Sequence, residues 1–260
     1  MIGAALRGAG LAALLLLAPA SAGASGARPP VALTASPAHV ELAGSGRTSV
    51  RVTNSGRSSV ILDVHRAGFA LDLRGRPRVV ARAAESRSAA AWLAFRPRTL
   101  EIGPGTSRTV SIASRVPTRA EPGDHDALVL FTTRRRVREG LSVRVRMGVV
   151  VVVRAPGRVV RRLVLGGMRA KGVRRGRFLE LAVTNGGNVT ESFVRGSTVV
   201  SVERGGRRLA RLIADAQSLR PGTRGVLRFP VRRRLIGRVV ARVDLASDAG
   251  RIQRVYRLRL

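Results

Sequence analysis

Cysteine is absent from the 260 residues, which removes disulfides, cysteine-ligated zinc, iron–sulfur clusters and thiol nucleophiles together. Aromatic side chains are scarce: one Trp, one Tyr and six Phe. That is too few for the stacking platforms that single-stranded nucleic acids need, so no nucleic-acid partner is expected. Lysine is almost missing as well, Lys171 being the sole one. Acidic residues number 15 against 48 Lys+Arg, so the formal net charge of +33 is almost wholly guanidinium. Catalytic signatures are lacking too. His39, His65 and His125 are scattered, and there is no His-Glu-x-x-His, Gly-x-Ser-x-Gly or phosphate loop. Gly103-Pro104-Gly105 lacks the third glycine and the following helix of a nucleotide fingerprint. The expectation is a protein that is not an enzyme and needs no cofactor.

Residues 1–24 have the form of a secretory signal. Arg7 supplies the positive start, residues 11–17 the short apolar segment, and Ala20-Ser21-Ala22 a small-residue cleavage site, with Ala18-Pro19-Ala20 as an alternative. The apolar segment is well short of the ~18 residues that would span a bilayer. No later run approaches that length, so the mature chain is expected to be exported with no transmembrane span.

What remains is 45% apolar, Val-, Leu- and Ala-rich, and sufficient to bury a core. Its periodicity is that of strands. Leu141, Val143, Val145, Met147, Val149, Val151 and Val153 alternate with Ser142, Arg144, Arg146 and Gly148. Residues 47–53, 60–66, 91–95, 108–113, 127–132 and 141–153 are expected to be strands. Turn residues recur at Gly103-Pro104-Gly105, Pro122-Gly123-Asp124, Gly186-Gly187-Asn188 and Pro221-Gly222-Thr223. Short strands with frequent turns predict an all-β fold of two tandem immunoglobulin-like β-sandwich domains after the signal peptide. A weak repeat supports two copies of one unit. Val52-Thr53-Asn54-Ser55-Gly56 is echoed by Val183-Thr184-Asn185-Gly186-Gly187, Leu100-Glu101-Ile102-Gly103-Pro104-Gly105-Thr106 by Leu219-Arg220-Pro221-Gly222-Thr223, and Pro122-Gly123 by Gly237, each glycine preceding a strand. The seam falls near Ala155-Pro156-Gly157, giving domains at 30–155 and 156–260.

The first domain carries Trp92-Leu93, Pro97, Leu100-x-Ile102-x-Pro104-Gly105, Pro122-Gly123-Asp124-His125, and a Gly-Val-rich strand that runs into Ala155-Pro156-Gly157. This pattern resembles the peptidoglycan-binding domain of WxL-interacting surface proteins of Gram-positive bacteria, whose members carry a second β-sandwich after it. The resemblance implies a cell-envelope binding or scaffold protein. Its partner would be a cell-wall polymer (peptidoglycan or an anionic glycopolymer), a surface protein, or both, and its place the cell wall, cell surface or extracellular space. More distantly, the signal, the high pI and the long alternating strand at 141–153 are similar to periplasmic pilus chaperones. That family lends alternate apolar side chains of this strand to a subunit by strand addition. There a carboxylate clamp combines an early Arg with a Lys in the strand; here the strand offers Arg144 and Arg146.

Candidate sites each have a plainer alternative. Asp124-His125-Asp126 brings metal-ligating types together, but in a strand the two carboxylates face away from the imidazole, so a polar start to the strand is expected. Trp92 suits either sugar stacking or a sandwich core. Arg134, Arg135, Arg136 and Arg138 form the densest of several arginine clusters, on an expected loop. Guanidinium forks bind oxyanions bidentately, and a codon bias towards Arg explains the same excess. Val150 and Val152 turn the polar face of the last strand apolar, either to pack on the second domain or to form a partner-docking edge.

Overall fold

The computed structural model describes residues 29–260 except 74–76, 81–86, 135, 136, 139, 140, 143, 174, 175, 233 and 234. The expected leader at 1–24, together with Arg135 and Arg136, lies outside the described residues. In chain order the first half carries β1 (Leu33–Ser36), β2 (His39–Ala43), β3 (Arg47–Asn54), β4 (Val60–Leu71), β5 (Pro77–Val80) and β6 (Leu93–Arg96). It continues with β7 (Thr99–Ile102), β8 (Ser107–Ser114), β9 (Gly123–Thr133), β10 (Val137–Arg138), β11 (Leu141–Ser142) and β12 (Arg146–Ala155). The second half carries β13 (Leu163–Val173), β14 (Gly176–Asn185), β15 (Glu191–Phe193), β16 (Thr198–Arg204) and β17 (Arg207–Ile213). It ends with β18 (Gln217–Leu219), β19 (Arg224–Val231), β20 (Arg238–Ser247) and β21 (Gly250–Arg259). Among the described residues the one helical element is a 3-10 turn at Ala90–Trp92.

The protein is all-β with two sandwich domains. In the first, one sheet runs β1-β3-β8-β6 and the other β2-β12-β9-β4-β5, with β7 also on β4. β3 shows how the sequence builds this: Val50 and Val52 are buried while Arg47, Ser49 and Arg51 are exposed, the period-2 pattern of a strand with one wet face. Those valines, with Val110 and Ile112 of β8, belong to one core with Val129 and Phe131 of β9 and Val149, Val151 and Val153 of β12. Each such side chain contributes about 1.5–3 kcal/mol of burial. The second sandwich pairs β13-β14-β19 on one side and β17-β16-β20-β21 on the other, around Leu179, Leu181, Phe229, Ala241 and Leu245.

The weak repeat is a structural one. The Asn54 side chain accepts the Gly56 amide at 3.0 Å and donates to the Ser58 and Ile102 carbonyls at 2.8 and 3.2 Å. Asn185 accepts the Gly187 amide at 2.9 Å and donates to the Val189 and Leu219 carbonyls at 2.8 and 2.9 Å. Both asparagines are fully buried. Each staples the end of one strand to a turn on another, because an amide group offers two donors and an acceptor in one plane. Gly56 and Gly187 are required beside them: a Cβ there would lie 2.7 Å from the Pro30 carbonyl oxygen and 2.4 Å from that of Val160.

Two expected elements differ. The strand expected at 141–153 is broken, with β11 folded back on β10 and β12 beginning at Arg146. The interruption follows the Thr133 amide's bond to the Val145 carbonyl; past it the same hairpin resumes as β10 on β11 with the pairing shifted by one residue, Arg146 standing opposite Thr132 but Val137 opposite Ser142. The strand expected at 91–95 begins at Leu93, because Ala90–Trp92 closes a 3-10 turn with the Trp92 amide donating to the Ala89 carbonyl.

Candidate functional site

β12 pairs with β9 along its whole length, from Arg146 opposite Thr132 to Ala155 opposite Gly123. On its other side it pairs with β2, in parallel, only over Val150–Arg154. Segment 146–149 is therefore an open edge among the described residues. The Val150 amide donates to the Ala38 carbonyl. Backbone groups alternate sides along a strand, so those of Arg146 and Gly148 face the unpaired side. Val145 and Met147 are half-buried, Met147 packing on the first core. Arg144 and Arg146 are exposed and, among the described residues, in no ion pair.

The two sandwiches meet at the start of β9, beside the far end of β12 from this edge. Every residue of β9 is buried. Asp124, part of the expected polar start to the strand, is sequestered. It takes the Arg154 guanidinium on both oxygens at 2.7 and 3.2 Å and the Thr190 amide of the second sandwich at 2.7 Å. The Asp124 amide donates to the Asn188 carbonyl at 2.8 Å, and the Asn188 side chain donates to the Pro122 carbonyl at 3.1 Å. Asp126 pairs with Arg220, which projects from the turn after β18 and is itself buried. Burial pushes the Asp126 carboxyl up from its ordinary value, and Arg220 opposes this. His125 faces the other way, its Nε2 within 2.8 Å of the Glu121 carbonyl. No three His, Asp or Glu residues gather as metal ligands among the described residues.

The other expected site residues are dispersed. Trp92 is half-buried, packs on the first core and lies against His125, ring centroids 4.3 Å apart. Arg134 is exposed but engaged, its Nε and Nη2 donating to Asp63 at 3.0 and 2.8 Å. Arg138 falls in the short strand β10 rather than on a loop. Val150 packs on Leu128 and Leu130 on the outer face of the first sandwich. Val152 is buried opposite Asp126 and Glu41. Both lie where β12 is paired on both sides, so neither stands on an open edge; the unpaired backbone is at 146–149. Asp124, Asp126, Thr190 and Arg220 were not singled out as a cluster from sequence. The unbroken apolar run 127–131 was the available signal, because a strand apolar on both faces is covered on both.

The Asp63–Arg134 pair makes a direct prediction. Arg134 holds the Asp63 carboxyl below its ordinary value, chiefly through hydrogen bonding. Whatever the pair adds to stability is present above the ordinary carboxylate range and is lost as pH falls through the depressed value. Arg134→Gln should return Asp63 to the ordinary value in a carboxyl NMR titration. An unchanged Asp63 midpoint would show that the fork does not form in solution.

No protein-family model matches the chain, and no curated protein matches it significantly. Solved structures do. YadV chaperone is 14% identical, covering 87% of this chain and 99% of that one with a TM-score of 0.48. A chain of the chaperone–tip adhesin complex of CFA/I fimbriae biogenesis is 10% identical, with 86% and 98% covered and a TM-score of 0.49. The periplasmic chaperone SfaE is 11% identical, with 88% and 100% covered and a TM-score of 0.44. These findings correct the reading as a peptidoglycan-binding WxL-interacting protein: no family model supports it, and the structures similar along nearly the whole chain are chaperones. Its wall-polymer partner falls with it. The motifs behind that reading, Leu-x-Ile-x-Pro-Gly and a valine strand ending in Pro-Gly, are turn and core patterns common to β-sandwiches.

Proposed function

We propose that this chain is a non-enzymatic assembly chaperone of an exported compartment, the periplasm, that lends its open β12 edge to a partner subunit by strand addition. The division into domains at 30–155 and 156–260 belongs to this reading. The carrying observation is the one-sided pairing of residues 146–149 beside the half-buried Val145 and Met147. An open edge whose inward side chains run off the end of a core suits a subunit that lacks a strand, since the partner gains main-chain hydrogen bonds and apolar anchors together. Arg144 and Arg146 stand at the same edge and supply guanidiniums for a partner carboxylate. Two of the neighbours named above, a complex with a tip adhesin and a periplasmic chaperone, accord with this direction.

The test is a photo-crosslinking amino acid at position 146, in the protein expressed in its own host with its leader. It should trap a partner subunit, and Val145→Asp with Met147→Asp should abolish the adduct while the fold, read by circular dichroism, persists. An adduct that survives the double substitution, or none at all, removes strand lending.

A further inference from the structure

On the outer face of the second sandwich, β20 and β21 place arginines against each other. Arg238 is the cross-strand partner of Arg259, and Val240 that of Arg257. Inward residues Val239, Ala241, Tyr256 and Leu258 belong to the core, so Arg238, Arg257 and Arg259 share the solvent face, where all three are exposed. Like charges directly opposed in a sheet are destabilising. Glu203 of β16, which lines the same depression as these arginines, is taken by Arg242 at 2.9 Å. Among the described residues none of the three arginines is in an ion pair. They line a depression of about 480 Å³ together with Glu203, Arg204 and Gly205. Arg204 is fixed there by a hydrogen bond to the Ile236 carbonyl.

We infer that this depression is an oxyanion site for a phosphoryl group, independent of the β12 edge. Four guanidiniums line the depression, and the carboxylate on its wall, Glu203, is already held by Arg242; such a set matches the multiple acceptor oxygens of a phosphate, each able to take a charge-assisted hydrogen bond. The repulsion between Arg238 and Arg259 is relieved when an anion binds between them. The same chemistry is offered by free phosphate and by a phospholipid headgroup at a membrane surface.

The experiment has two arms on the full mature chain. In the first, inorganic phosphate is titrated and the backbone amides of β20 and β21 are followed by NMR. In the second, the protein is sedimented with phosphatidylglycerol vesicles and with phosphatidylcholine vesicles. Arg257→Gln with Arg259→Gln should weaken binding about tenfold or more, as expected for lost charge-assisted hydrogen bonds. Arg51→Gln with Arg108→Gln removes the same charge from exposed positions on the first sandwich and should leave binding within about twofold, a local rather than net-charge effect. Without phosphate, the β21 double variant should melt no lower than the parent, because it removes a repulsion. Saturable shifts in the first arm assign free phosphate, and sedimentation with anionic vesicles alone assigns the headgroup. Equal losses in both double variants, or no binding in either arm, would overturn the site.

Discussion

Arg220→Ala should lower the stability of the whole protein by about 3–5 kcal/mol, the usual result of removing one partner from a buried ion pair. Arg220 and Asp126 are both almost fully buried and lie 94 residues apart, one in each sandwich. The truncation leaves a carboxylate inside with no counter-charge. Burial already raises the Asp126 carboxyl even with Arg220 present; without it the rise must be larger. A raised carboxyl in the folded state binds a proton that the unfolded chain has released. The variant should therefore be most stable in acid and lose stability as pH climbs from the ordinary aspartate range through the raised value. The gap from the parent protein should be smaller near pH 4 than near pH 8. Replacing both partners by apolar residues of similar volume should restore most of the loss. Because the pair bridges the sandwiches, Arg220→Ala should also separate one thermal transition into two, readable by calorimetry. A loss under about 1 kcal/mol, or one independent of pH, would mean the pair does not hold the seam.

That pair also marks the limit of what the sequence displays. Strand positions such as 47–53 and 108–113 were legible because alternation of Val with Thr, Ser and Arg is a local pattern that each strand carries by itself. The seam was not, since Asp124 and Asp126 meet residues 66 and 94 positions away, and no local pattern encodes which turn of the second sandwich will cover them. The strand expected at 91–95 takes in Trp92 because a short apolar segment there is indistinguishable, over so few residues, from a 3-10 turn leading into a strand. The open edge lay half in view. Its apolar alternation is evident from residue 141, but whether an edge is open depends on how far β2 reaches along β12, which is a matter of three-dimensional register. The arginine excess divides along the same line. Arg134, Arg154, Arg161, Arg220, Arg242 and Arg251 each hold a carboxylate. With only 15 acidic residues in the chain, many others are left facing solvent, and nothing in the one-dimensional clusters distinguishes the two groups.

The repeat was legible, and it leads to a paired prediction. Asn54→Ala and Asn185→Ala should each cost about 3–5 kcal/mol, and by similar amounts. Each side chain holds two carbonyls and one amide in a fully buried position. Alanine strands all three, at about 1–2 kcal/mol for each buried group left without a partner. Asn→Asp should be as damaging, because a carboxylate accepts but cannot donate and would sit facing two carbonyl oxygens. The effects should differ in place. Hydrogen exchange should accelerate first in β3 and β7 for Asn54→Ala, and in β14 and β18 for Asn185→Ala, the strands whose ends each asparagine ties to its turn. If the Asn185 substitution loosened the first sandwich as much as the second, the two units would be unfolding as one body, and the staples would not be local devices. If either substitution cost less than about 1 kcal/mol, that asparagine would not be the fastener its three hydrogen bonds make it.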